Sequence, residues 1–250
     1  MFDFNMLLEE LDKPRLRQPL PEYLASNRGA PWKVISEDEL NKMHRQWFDE
    51  LERRIAFMGE RGIDIGWLYE WSAMYTWSWM ARDMSRNHEL YTPDLRYVDP
   101  TTFGRTMVGL DEFVKYNFAF IDAISDWRYD PFPDQMYIDV TPDGETRMAV
   151  RYMGSGYVDG TIRLYPYDKS APAITGNGNF VQACAFDRYH FNSDGLMYFG
   201  ETLWDFMDVA QTIGIAPRDD SWQFKALMGL GALPAHGRRI ASRIPLLRQR

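Results

Sequence analysis

Three sets of residues, each spaced by two, carry most of the polar chemistry that this chain could use. Tyr97 and Asp99 belong to the stretch 95–99, which reads as a short strand ended by Pro100. Arg151, Met153 and Ser155 alternate along the strand-like run 147–158, and Asp187, Tyr189 and Phe191 along the run 174–192. Residues two apart on a strand share a face, so each set points one way and His190 points away from Asp187. Brought together, the sets place Asp99, Asp187 and Arg151 in a wall otherwise made of Tyr, Trp, Phe and Met. Burial raises the pKa of a lone carboxylate there, and the arginine lowers that of its neighbour. Two carboxylates tuned apart supply an acid and a base near neutral pH. The same residues fit a plainer arrangement, in which Arg151 and one aspartate form a buried structural ion pair.

A second source of chemistry is a helix over 65–86, where Trp67, Trp71, Tyr75 and Trp79 recur every four residues. The ladder is core packing, or in part the wall of a pocket for a flat apolar substrate. Tyr75 differs from its neighbours in carrying a hydroxyl that needs a partner when buried. Other motifs are missing. There is no Walker loop and no strand-linked G-x-G-x-x-G, and His44, His88, His190 and His236 never take zinc-pair spacing. Gly154-Ser-Gly156 lacks the spacing of a nucleophile elbow and reads as a bend or bulge. Gly176-Asn-Gly178 reads as a turn or bulge and not as a phosphate cradle. One cysteine, Cys184, excludes a disulfide framework and an all-thiolate metal site. No cofactor and no metal is expected.

The elements that must position these residues fall into a simple order. Over 1–65 the chain is a helical lead-in, broken early by Pro14, Pro19, Pro21 and Pro31. Ser36 then caps a helix with Leu40, Met43, Trp47, Leu51 and Ile55 on one face, ended near Gly62. Pro93-Asp94 reads as a turn before the first strand. A helix over 110–126 directs Phe113, Phe118 and Ile121 inward. The period then changes: 135–141, 147–158, 174–192 and 196–205 are strand-rich, separated in part by Asp143-Gly144 and Asp194-Gly195 turns. A helix over 206–213 follows. Helices first and an antiparallel meander after them make an α+β chain.

Composition bounds the rest. The 250 residues are 15% aromatic, which excludes global disorder. No run of 18 apolar residues exists to span a membrane, and the acidic start lacks the basic region of a signal peptide, so a cytoplasmic protein is expected. The net charge of −8 argues against a nucleic-acid binder. From Pro217 onward, however, seven Lys+Arg face two Asp+Glu, a local +5, while the other 216 residues carry −13. This tail is expected to pack Trp222, Phe224 and Leu227 against the acidic body of its own or a neighbouring chain.

Four segments in order resemble the nuclear-transport-factor-2-like superfamily, which includes ketosteroid isomerase, limonene epoxide hydrolase and the SnoaL-like polyketide cyclases. They are Tyr75-Thr-Trp-Ser-Trp-Met-Ala-Arg-Asp; Leu90-Tyr-Thr-Pro-Asp-Leu-Arg-Tyr-Val-Asp-Pro; Val150-Arg-Tyr-Met-Gly-Ser-Gly-Tyr; and Phe186-Asp-Arg-Tyr-His-Phe-Asn-Ser-Asp-Gly-Leu, followed by Trp204-Asp-Phe-Met-Asp. The resemblance implies a cone-shaped curved sheet wrapped around helices over 66–216. It leaves 1–65 as a helical N-terminal extension and 217–250 as a basic C-terminal tail. Ketosteroid isomerases place their general base at a strand-ending Asp-Pro, which matches Asp99. Their oxyanion hole, a first-helix tyrosine and a protonated late-strand aspartate, matches Tyr75 and Asp187. The epoxide hydrolases match Tyr97 and Asp99, Arg151 and Met153, and Thr202; of their three charged residues only the arginine, Arg151, is kept.

The resemblance therefore implies Asp99, Asp187, Arg151 and Tyr75 as catalytic residues. Tyr97, Trp71, Trp79, Tyr189, Arg105 and Phe191 are expected to bind substrate. The activity implied is cofactor-independent acid–base chemistry on an apolar aromatic or polycyclic molecule. Chain length and aromatic load also resemble the bacterial lyases that remove formaldehyde from lignin-derived diarylpropanes to give stilbenes. A SnoaL-like cyclase, a ketosteroid isomerase-like isomerase, an epoxide hydrolase and a non-catalytic ligand-binding protein are the alternatives. Neither nucleic acid nor membrane is expected as a partner, and self-association as a homodimer or homotrimer is.

Overall fold

The computed structural model describes residues 2–25, 31–163, 170 and 173–241. The chain passes through α1 (Phe4–Leu11), the short strands β1 (Tyr23–Leu24) and β2 (Trp32–Lys33), α2 (Glu37–Gly59), α3 (Trp67–Ala81) and α4 (Asn87–Leu90). Next come β3 (Tyr91–Val98), a 3-10 turn at Pro100–Thr102, β4 (Met107–Val108) and α5 (Leu110–Ala123). The strand-rich half holds β5 (Arg128–Val140), β6 (Thr146–Tyr157), β7 (Thr161–Arg163), β8 (Ala173–Thr175), β9 (Phe180–Phe191) and β10 (Met197–Trp204). It ends with α6 (Phe206–Thr212) and α7 (Trp222–Ala241).

Six strands form the main sheet in the order β4-β3-β10-β9-β6-β5. All neighbours are antiparallel except β3 and β10, which run parallel and join the meander to the first strand. The fold is α+β, with a curved, mostly antiparallel sheet packed on helices. The ladder between β5 and β6 shifts register between Pro131 and Met136, where two prolines remove donors and bend the strand.

Local chemistry explains the helices. The Ser36 hydroxyl accepts from the Glu39 amide, and the Glu39 carboxylate accepts from the Ser36 amide at 3.1 Å, a capping box. Glu37, Asp38 and Glu39 add negative charge to that first turn. α3 differs: every residue from Trp71 to Met80 is buried. A helix buried all round is a core helix, so the four-residue ladder is not a single stripe facing a pocket. Phe2, Leu7, Leu11, Trp47, Phe48 and Leu51 of the lead-in share its core, with the sheet on the other side.

Several boundaries move. α3 stops at Ala81 because Arg82 turns into the left-handed region, at φ 58°. Pro93-Asp94 lies within β3, where the pairing with β10 is irregular, and forms no separate turn. The run 174–192 divides into β8, which pairs with β7, and β9. On α5, Phe118 is exposed while Phe113, Tyr116, Asn117 and Ile121 are buried, so the inward face follows the three-and-four spacing through Tyr116. Gly154 and Gly156 sit in an unbroken ladder, opposite Ala183 and Val181, and make no bulge. A Cβ on Gly154 would meet the Trp127 ring at 2.2 Å; the glycine is there to let that ring lie on the strand.

Candidate active site

Asp99 follows β3 directly and caps the 3-10 turn that Pro100 opens. Its Oδ1 accepts from the Thr101 amide at 2.8 Å and from the Thr101 hydroxyl. Its Oδ2 accepts from Trp204 Nε1 at 3.1 Å, and the Tyr116 hydroxyl lies close to the same carboxyl. The carboxyl is 1% exposed. Burial pushes its pKa up, and these donors pull back against that rise.

Asp187 lies mid-strand on β9, opposite Val150 of β6 and Thr202 of β10. The Tyr189 hydroxyl donates to its Oδ2, and the Tyr75 hydroxyl stands 3.5 Å from the same oxygen and 3.1 Å from the Tyr189 hydroxyl. The nearby Thr202 hydroxyl is taken up by that of Tyr97, at 2.5 Å, and Asp187 Oδ1 has no hydrogen-bond partner. No cation pairs with either Asp99 or Asp187 among the described residues. Burial carries the Asp187 pKa up to about 7, helped by the charge of Asp99 and opposed by the neighbouring hydroxyls of Tyr189, Thr202 and Tyr75.

Both carboxyls line one cavity. Its walls are Tyr75 and Trp79 from α3, Tyr97 from β3, Tyr116 and Phe120 from α5, and Tyr129, Tyr152, Thr202 and Trp204 from the sheet, with Trp127 beside them. Burial raises Tyr75, Tyr97, Tyr116, Tyr129, Tyr152 and Tyr189 well above the ordinary tyrosine pKa, so they remain neutral hydrogen-bond donors. A second chamber adjoins the first and shares Tyr116, Phe120, Ile124, Val181, Trp204 and Val209 with it. No carboxylate lines that chamber, and apart from Thr101 and Arg163 its other residues are Ala, Ile, Val and Phe.

The expected residues do not all meet. Asp99, Asp187, Tyr75, Tyr97 and Trp79 share the cavity. Arg151 does not. The pairing of Val150 with Asp187 puts Val150, Tyr152 and Gly154 on the cavity face and turns Arg151, Met153 and Ser155 outward. Arg151 is exposed, donates to Gln135 at 2.8 Å and lies over the Phe132 ring. The plainer ion pair with a site aspartate is absent too. Arg105 is exposed beyond the 3-10 turn and lines neither chamber. Trp71 stacks behind Tyr75 at 5.0 Å and donates to the Leu90 carbonyl, and Phe191 is buried against Trp67 and Trp71. Tyr189 is fully buried and holds Asp187 in place without lining the cavity.

Sequence reasoning passed over Tyr116, Phe120, Trp127, Tyr129, Tyr152 and Trp204. Two signals were available: Tyr116 and Phe120 are four apart on α5, and Trp204 opens the last of the family-like segments. Tyr152 lies inside the third family-like segment, and nothing in the sequence marks Tyr129. Among the described residues, no group of three or more His, Cys, Asp or Glu is placed to hold a metal ion.

No family model matches this chain, and no curated protein matches it. Solved structures do. TsrD from Streptomyces laurentii is similar over 61% of this chain and 98% of its own, at 15% identity and a TM-score of 0.47. An NTF2-like protein of unknown function from Burkholderia pseudomallei covers 55% and 89%, at 17% identity and 0.38. SalBIII, an epoxide hydrolase/cyclase-like enzyme of pyran ring formation in the polyether salinomycin, covers 56% and 91%, at 16% identity and 0.39. Likeness at this level says nothing about chemistry.

Proposed function

We propose that the chain is an acid–base enzyme of the isomerase or cyclase type, acting on an apolar, ring-bearing substrate with side chains alone. One observation carries the reading: two buried carboxyls without cationic partners line the same tyrosine-rich cavity, where burial pushes the pKa of Asp187 up to about 7. Asp99, held by the more numerous donors, is the base that takes a proton from carbon or from a hydroxyl. Asp187, whose proton burial holds up towards neutral pH, returns a proton through its unpartnered Oδ1. Tyr75, buried and neutral, donates to the oxyanion that forms between these events. The dicarboxylate–arginine relay of an epoxide hydrolase has no support, because Arg151 faces the other way.

The adjoining second chamber favours a narrower reading, a lyase acting on a two-ring diarylpropanediol. Protonation by Asp187 lets the benzylic hydroxyl leave as water. Asp99 takes the proton of the terminal hydroxyl, the carbon–carbon bond breaks to release formaldehyde, and its electrons become the stilbene double bond. The two adjoining chambers offer each ring an apolar wall.

Three candidate substrates test these readings: a cyclic enone, a polycyclic polyketide and a phenolic diarylpropanediol, each followed by product formation. Turnover of either of the first two supports isomerase or cyclase chemistry, and stilbene with formaldehyde supports the lyase. Tight binding of all three with no product would mean a non-catalytic ligand-binding protein.

A further inference from the structure

α7 is the largest element that the cavity does not use. Trp222 is 74% exposed, and Leu227, Met228, Leu230 and Leu233 are each more than half exposed. Apolar side chains of this size otherwise fill the core of the molecule. Intrinsic propensity does not explain the helix either. Gly229, Gly231 and Pro234 lie within it, and all three are unfavourable in a helix interior. A helix of this length and composition is marginal in water without a surface to bury its apolar residues.

The charge pattern identifies that surface. From Ser221 to the C-terminus there are six Lys+Arg and no Asp or Glu, while the first 220 residues carry a net −14. Five of the six, Arg238, Arg239, Arg243, Arg248 and Arg250, follow the apolar stretch. An apolar helical segment that opens on tryptophan and runs into an arginine cluster suits a membrane surface: the apolar side chains enter the acyl boundary and the cations meet anionic headgroups. No helix among the described residues is long and apolar enough to cross a bilayer. A second copy of the chain offers less. The exposed apolar side chains of the body sit on separate elements, such as Val108 on β4, Phe118 on α5 and Leu203 on β10.

We propose that α7 and the basic sequence after it bind the surface of an anionic membrane, with α7 lying in the headgroup plane. This departs from the expectation of no membrane partner, and the reason is the bare helix, which composition alone does not reveal. The inference is independent of the reaction in the cavity.

The test is co-sedimentation of the full chain with vesicles of phosphatidylcholine alone and with vesicles containing one-third phosphatidylglycerol. The expected result is binding to the anionic vesicles, weakened about tenfold or more by 0.5 M salt. Leu227→Asp with Leu230→Asp, and separately Arg243→Glu with Arg248→Glu, should each weaken binding by a similar factor at an unchanged Tm. Sedimentation velocity on the same proteins covers the rival occupant. No binding to either vesicle, equal binding to both, or a wild-type oligomer that the two leucine substitutions dissociate while vesicles are ignored would each overturn the proposal.

Discussion

Asp187 and Asp130 lie on the same sheet and are both sealed from water, yet they ionise in opposite directions. Burial works to raise both. At Asp130, on the face of β5 turned to α2, Arg128 overcomes it, with Nε 3.0 Å from Oδ2 and Nη2 2.7 Å from Oδ1, and His44 Nδ1 lies 3.3 Å from Oδ1. Arg128 also donates to Glu37 and Asn41 of α2, so this network ties the helix to the strand. At Asp187, on the cavity face, the partners are neutral hydroxyls and burial wins. A cation within hydrogen-bonding distance separates a structural carboxylate from one poised to move a proton.

The largest effect expected on the cavity side is on turnover. Asp99→Asn and Asp187→Asn remove proton transfer but keep shape, and each should lower kcat by ~10²–10⁴-fold while ligand binding persists. Steady-state kinetics with binding measured in parallel decides this. Normal turnover in both variants would erase the functional half of the contrast.

On the outer face the effect should be on stability. Arg128→Met leaves Asp130 buried with only the His44 ring beside it, at a cost of about 3–5 kcal/mol. Adding Asp130→Leu should return much of that loss, as denaturant unfolding can show. An additive double variant would mean that the pair does not act as a unit.

The pH dependence should separate the two aspartates by sign. Asp187 binds its proton more tightly folded than unfolded, so its contribution is full below about pH 4 and is lost as the pH rises through about 7. Asp187→Asn should therefore unfold less readily than wild type at pH 8, by about 1.4 kcal/mol for each factor of ten by which folding tightens the hold on that proton. Asp130 behaves oppositely: its stabilisation is present above the unfolded pKa and disappears as the pH falls through its lowered value. Unfolding curves from pH 3 to 8 on wild type and Asp187→Asn resolve both limbs.

The smallest effect belongs to the residue that changed faces. Arg151→Ala should alter stability by no more than about 0.5 kcal/mol and leave turnover unchanged, because the side chain is exposed on the outer face. A large loss of kcat would show that the guanidinium reaches the cavity in solution.

Much of this contrast is legible in the sequence only in part. The alternation along each strand is local, so it groups Tyr97 with Asp99 and Asp187 with Tyr189 by face, as the structure has them. Arg151, Met153 and Ser155 also share a face, but it is the outer one. Within a strand the alternation is the same whichever side faces inward. Only the pairing of β6 with β9 breaks that tie. The buried pair Arg128–Asp130 is invisible in the sequence for a similar reason, since its partners Glu37, Asn41 and His44 are more than 80 residues away.

By itself the sequence determined what depends on neighbours in the chain: the capping box that starts α2, the Asp99-Pro100 turn, the three-and-four spacing within helices, the two-residue alternation within strands, and the helices-then-strands order. Tertiary structure decided which face of each strand closes the cavity, that α3 is buried all round, that α7 is left bare, and which aspartate has a cation beside it. Those depend on register and burial between distant segments, and a pKa follows the groups that packing brings within a few ångströms.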